Sequence, residues 1–161
     1  MPAQSLIESM EKLLALHNQL HDTAVEKTEA IKDNDMQVLN KLLREEQKHV
    51  TAIQVADKKR QQAVAILTNG NQKASISDIV ELLEGPTRER LTELQIQLSN
   101  LLAELKKVNA LNQQLLEYSL QFVNLNLDLL APEPELPNYA KTQSEQHHPG
   151  PANRSIFDSK A

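Results

Sequence analysis

Residues 91–130 read LTELQIQLSNLLAELKKVNALNQQLLEYSLQFVNLNLDLL, with no proline and no glycine. Leu94, Leu101, Val108, Leu115, Phe122 and Leu129 recur every seven residues. Leu91, Leu98, Leu105, Asn112, Ser119 and Asn126 form the companion series. An apolar repeat averaging ~3.5 residues is the seam of a helix packed left-handedly against its neighbours. In the second half of the companion series, polar residues stand where leucine stood. They either fix register or mark a surface that is not permanently dry.

The same reading extends toward the N-terminus. No glycine or proline lies between Ala3 and Thr68. A first helix is expected from about Ser5 to Lys32, with Leu6, Met10, Leu13, His17, Leu20, Ala24 and Ile31 on one stripe. Asp33-Asn34-Asp35 interrupts it, and Asn34 with Gln37 has the spacing of a capping box. A second helix is expected to run to about Thr68. Its seam is Met36, Leu39, Leu43, Glu46, Val50, Ile53, Asp57, Arg60, Val64 and Leu67, widened by Leu42, His49, Ala56 and Ala63. The charged members predict a thin apolar contact in its middle. Asn69-Gly70 supplies a left-handed stop. Ser75 opens a short helix, with Asp78 at capping-box spacing and Ile76, Ile79, Val80, Leu82 and Leu83 as its apolar face. Gly85-Pro86 ends it, and the last helix is expected from about Thr87 to Leu130.

The fold class is therefore all-α: an antiparallel three-helix bundle or coiled coil with one short extra helix and a Pro-rich C-terminal tail. At ~1.5 Å per residue the long helices measure roughly 42, 50 and 65 Å. The third outruns its partners, so its part beyond about residue 120 is expected to overhang. Five of the seven prolines follow from Pro132 onward, among few large apolar residues. Residues 1–131 thus read as the helical body and 132–161 as a flexible tail.

Composition excludes much else. Three glycines and 2% aromatic residues in 161 argue against a sandwich or barrel. The absence of cysteine removes disulfides, a thiolate zinc site and a cysteine nucleophile. A net charge of −5 without a dense basic stripe predicts no nucleic-acid partner. The start, MPAQSLIESMEKLL, has acids where a signal peptide needs a basic region. No uncharged apolar run reaches the ~18 residues of a membrane span. The expectation is a soluble cytoplasmic protein.

Charge nearly stops after Lys107. From Val108 to Leu130 only Glu117 and Asp128 are charged. Leu115, Phe122 and Leu129 continue the seam, while Leu116, Leu120, Val123, Leu127 and Leu130 form a second stripe at 4-3-4-3 spacing. A bundle helix needs one apolar stripe, so a second calls for a second partner. That partner is the rest of the bundle, a sister chain, or the amphipathic helix of a cargo. A membrane-surface helix fits worst, because its polar face lacks Lys and Arg.

Constellations for chemistry are sparse. Glu46-Gln47-Lys48-His49 is one Glu-x-x-His pair on a helix, and a di-iron bundle needs two with further glutamates. His17 and His21 lack a third metal ligand, and His147-His148 lies in the tail. Glu45-Glu46 lies on a helix face, not in a cleft, and no phosphate loop, GxSxG or dinucleotide fingerprint occurs. Lys58-Lys59-Arg60 and Lys106-Lys107 read as solvated surface. The expectation is no enzyme, no cofactor and no metal. At the chain end Ile156 and Phe157 either hang free or dock on the body or a partner, and Tyr139 is an aromatic in a linker.

KLLALHNQLHDTAVEKTEAIKDND in the first helix, KLLREEQKHVTAI in the second and LKKVNALNQQLLEYSLQFVNLNLDLL in the last resemble the FlgN-type flagellar export chaperones. The final IFDSKA is similar to that of Bacillus-like members. The resemblance implies a non-enzymatic cytoplasmic chaperone of flagellar type III secretion, without cofactor. It implies as cargo the hook–filament junction proteins FlgK and FlgL, bound through the C-terminal part of the last helix. The candidate cargo-binding residues are Leu111, Leu116, Leu120, Val123, Leu127 and Leu130. It also implies an export-gate contact after that helix, for which Tyr139 is the nearest match. The alternative is a structural coiled-coil oligomer, a homodimer among them, that uses the same stripe for self-association.

Overall fold

A computed structural model describes residues 2–71 and 73–130. Among them the regular structure is helical: α1 (Pro2–Lys32), α2 (Met36–Leu67), α3 (Ile76–Leu82) and α4 (Gly85–Leu130). Tyr139, His147, His148, Ile156 and Phe157 lie outside the described residues, as does the rest of 131–161. The contacts of the chain divide into two units, Met1–Gln113 and Gln114–Ala161, with the boundary inside α4.

In the first unit α1, α2 and the first part of α4 pack together. The short connector 33–35 turns α2 back along α1. Arg90 meets Glu11 at 2.9 Å, and Asn112 meets Ala24 and Thr28, so residue numbers on α1 and α4 rise together. The order is up, down, up. Leu6, Val64, Ile79, Leu91 and Leu94 are fully buried, one or more from every helix. The expected α1 stripe is buried throughout. Polar residues on that helix are satisfied locally: the hydroxyls of Ser9 and Thr23 donate to the carbonyls of Ser5 and Gln19. Such back-bonding within a turn lets small polar side chains sit in a core at little cost.

Helix ends follow local chemistry, with one reassignment. Asn34 is not the cap of α2. It has φ +54° and closes α1, with Asp35 N–H bonded to the Ala30 carbonyl and Asn34 N–H to that of Ile31. That is the double bond of a left-handed helix stop, a role asparagine tolerates. The N-cap is the next residue, Asp35, whose carboxylate accepts from Val38 N–H. Asn69 and Gly70 both have positive φ after α2, as expected. Ser75 and Asp78 form the reciprocal capping box of α3. The Ser75 backbone N–H, which donates to the Asp78 carboxylate at 3.0 Å, and then the nearby Ser75 hydroxyl hold that carboxyl below the usual carboxylate range. Gly85, at φ +66°, opens α4 ahead of Pro86.

The register of α2 also differs from expectation. Met36 and Leu43 are exposed, whereas Leu39, Leu42, Ile53, Ala56, Ala63 and Val64 are buried. The residues expected only to widen the stripe are its centre. Charges on the seam are accommodated by pairing. Glu46 is bonded to Lys27 of α1, with both side chains largely buried, and Asp57 holds Arg60 at 2.8 Å. Glu11 and then Glu93 raise the Arg90 pKa through hydrogen bonds to its guanidinium.

The described part of the second unit is the end of α4, residues 114–130. Leu115, Ser119 and Asn126 are partly covered there, and the other side chains described are exposed.

Candidate functional site: the C-terminal half of the last helix

The site is built from helix periodicity. At ~3.6 residues per turn, each residue advances ~100° around the axis. Leu115, Tyr118, Phe122, Leu125 and Leu129 fall on one line, here the Phe122 stripe. Leu116, Leu120, Val123 and Leu127 fall on another, the Leu120 stripe. Ser119 and Asn126 lie between the two lines. Gln114, Glu117, Gln121, Asn124 and Asp128 fill the remaining arc.

Both stripes are open. On the Leu120 stripe exposure runs from 40% at Leu116 to 63% at Leu120. On the Phe122 stripe Phe122 is 65% and Leu129 72% exposed. The expectation that Phe122 and Leu129 continue the bundle's seam is therefore corrected: they are as bare as the second stripe. Sequence periodicity could not show this, because a heptad says which residues align and not where their partner ends. Leu111 is exposed too and lies in the first unit; the side chain of Leu130 lies outside the described residues.

The polar line has a structural beginning. Asn112 is 3% exposed; its amide donates to the Ala24 carbonyl at 2.9 Å, and its side-chain oxygen accepts from the Thr28 hydroxyl. Ser119, one heptad on, donates to the Leu115 carbonyl at 2.9 Å. Gln114 donates to the Tyr118 hydroxyl at 3.0 Å on the outer surface.

Among the described residues no three His, Asp or Glu side chains gather as they would around a metal ion. Glu46 of the Glu-x-x-His pair is engaged by Lys27. His17 is buried and donates from Nδ1 to the Leu13 carbonyl at 2.7 Å. Among the described residues no helix is long and apolar enough to cross a membrane.

Fold and site together define a class: a helical bundle whose last helix ends in an uncovered, leucine-rich, charge-poor surface. Residues 1–147 match the family described as FlgN protein. The chain is also 34% identical over 161 residues, covering all of both chains, to a Bacillus subtilis (strain 168) protein described as "Uncharacterized protein YvyG". No solved structure matches it significantly. The chain belongs to the FlgN family, a family of flagellar export chaperones that bind flagellar proteins and are not enzymes.

Proposed function

We propose that this protein is a cytoplasmic flagellar type III export chaperone for hook–filament junction proteins of the FlgK and FlgL type. The reading rests on one observation: in a chain of this family, the charge-poor end of α4 carries exposed leucines at helix-pairing spacing. Leu116, Leu120, Val123 and Leu127, flanked in sequence by Leu111 and Leu130, cover the amphipathic helix with which a junction protein assembles. Held there, the cargo is kept from polymerising before export. Residues 1–131 act as the body, and 132–161 as a tail that brings Tyr139 to the export gate.

The magnitudes are adequate. Burying ~600–800 Å² of apolar surface at ~25 cal/mol/Å² gives roughly 15–20 kcal/mol gross, before the costs of association and ordering. Submicromolar affinity follows without special polar chemistry. Calorimetric titration with purified FlgK and FlgL, against wild type and Leu120→Asp, tests the reading. Binding weakened about tenfold or more by the substitution supports it; no binding to either protein, or an unaffected variant, overturns it.

The heptad spacing of the exposed stripes also favours a second reading, self-association into a coiled-coil dimer. Light scattering separates the two. A dimer that Leu120→Asp converts to monomer without loss of cargo affinity selects the second.

A further inference from the structure

The two stripes of residues 114–130 are separate surfaces. Taking ~100° per residue, their centres lie about 150° apart around α4. One packed helix covers a stripe ~100° wide. A single client helix on the Leu120 stripe therefore leaves Phe122, Leu125 and Leu129 in water, and these are among the most exposed large apolar residues described. Between the stripes run Ser119, whose hydroxyl is already satisfied by the Leu115 carbonyl, and Asn126. A polar line of this kind divides the apolar surface into two seats.

We propose, building on the function above, that a client supplies two linked amphipathic helices, one seated on each stripe. Interface size supports a pair. A second seated helix adds the Phe122 stripe to the contact and brings it nearer the ~20–30 residues a side of a standard interface. Linking the two helices makes the second docking event intramolecular, so weak individual seats combine into firm capture. Charge argues against a second copy of this chain as the occupant. Glu117 and Asp128 are the only charged residues of 114–130. Two copies laid along this helix bring acid toward acid with no base to answer, whereas a client with Lys or Arg beside its apolar positions answers both. The client class is thus a helical hairpin with apolar heptads on both limbs and basic flanks.

The test uses the full chain and a purified full-length junction protein. Photo-crosslinking side chains are placed singly at Leu120 and at Phe122, and the captured client peptides are mapped by mass spectrometry. Leu120→Asp and Phe122→Asp are titrated in parallel, with helicity checked by circular dichroism. Two distinct client segments, one per position, and a loss of about tenfold or more for each variant support the proposal. Capture of one segment at both positions, or loss with Leu120→Asp alone, overturns it and leaves the chaperone reading standing. No capture and no loss at either position overturns both. Capture of a second copy of this chain at Phe122 assigns that stripe to self-association and also overturns the two-helix client.

Discussion

Asn112 occupies a position where the heptad asks for leucine, and it is the most buried polar side chain described. Its amide reaches the Ala24 carbonyl and its oxygen accepts the Thr28 hydroxyl, so it ties α4 to one height on α1. Leucine at that site would pack equally well one turn up or down, whereas an asparagine bonded on both sides selects a register. Removing it leaves little unsatisfied, because Thr28 also reaches the Ala24 carbonyl. We expect Asn112→Leu, which keeps the branched shape, to change unfolding free energy by less than about 1.5 kcal/mol, the net value of an intramolecular hydrogen bond. Asn112→Asp is expected to cost about 3 kcal/mol or more near neutral pH by burying an unpaired charge. Urea denaturation of the two variants checks both. The sequence showed Asn112 to be a polar exception and offered two explanations. The choice fell to Thr28, a residue 84 positions away that no local spacing connects to it.

At the scale of single helices, α1 was legible, α3 was legible except for Leu82, expected on its apolar face and 67% exposed, and α2 was legible only in extent. The α1 stripe is continuous in leucine, so one face wins. The α2 pattern admits two overlapping heptads that share Leu39, Glu46, Ile53, Arg60 and Leu67. One adds Met36, Leu43, Val50, Asp57 and Val64; the other adds Leu42, His49, Ala56 and Ala63. Hydrophobicity favours the first. The structure uses the second along most of the buried line, where Ala56 and Ala63 occupy little volume and Lys27 of α1 reaches Glu46; only at the end does Val64 of the first join it, fully buried. Small residues that admit a neighbouring backbone carry almost no signal on a hydropathy pattern. The consequence is measurable. Leu42→Ala is expected to cost about 2–5 kcal/mol of unfolding free energy, whereas Leu43→Lys stays within about 0.5 kcal/mol. Leu42 is 3% exposed and Leu43 44%. Equal effects in chemical denaturation would return the helix to the other register.

Across the whole molecule, apolar burial is uneven. The five fully buried large side chains come from the start of α1, the end of α2, α3 and the start of α4. α3 is only seven residues long, yet it places Ile79 in that core under a complete capping box. Residues 114–130 bury no side chain fully among those described. Helical hydrogen bonds with little packed surface over them open at low free energy. Amide exchange along α4 is therefore expected to slow over the turns around Leu91–Leu105 and to quicken beyond Gln113, by about tenfold or more. Uniform protection along the helix would contradict that gradient. The all-α architecture was legible because long runs free of glycine and proline leave little else to form. The bareness of both faces of the last helix was legible only from its excess length, which put an overhang beyond about residue 120; the heptad ran on through Phe122 and Leu129 as if a partner were still there.

The scarcity of charge after Lys107 has a kinetic consequence. A surface of leucine, phenylalanine and uncharged amides, with only Glu117 and Asp128 to attract a basic client, steers weakly. Its encounters stay near the unsteered pace of ~10⁵–10⁶ M⁻¹s⁻¹, and added salt slows them only modestly. Discrimination among partners then rests on how long each stays, a residence time set by apolar fit along the helix.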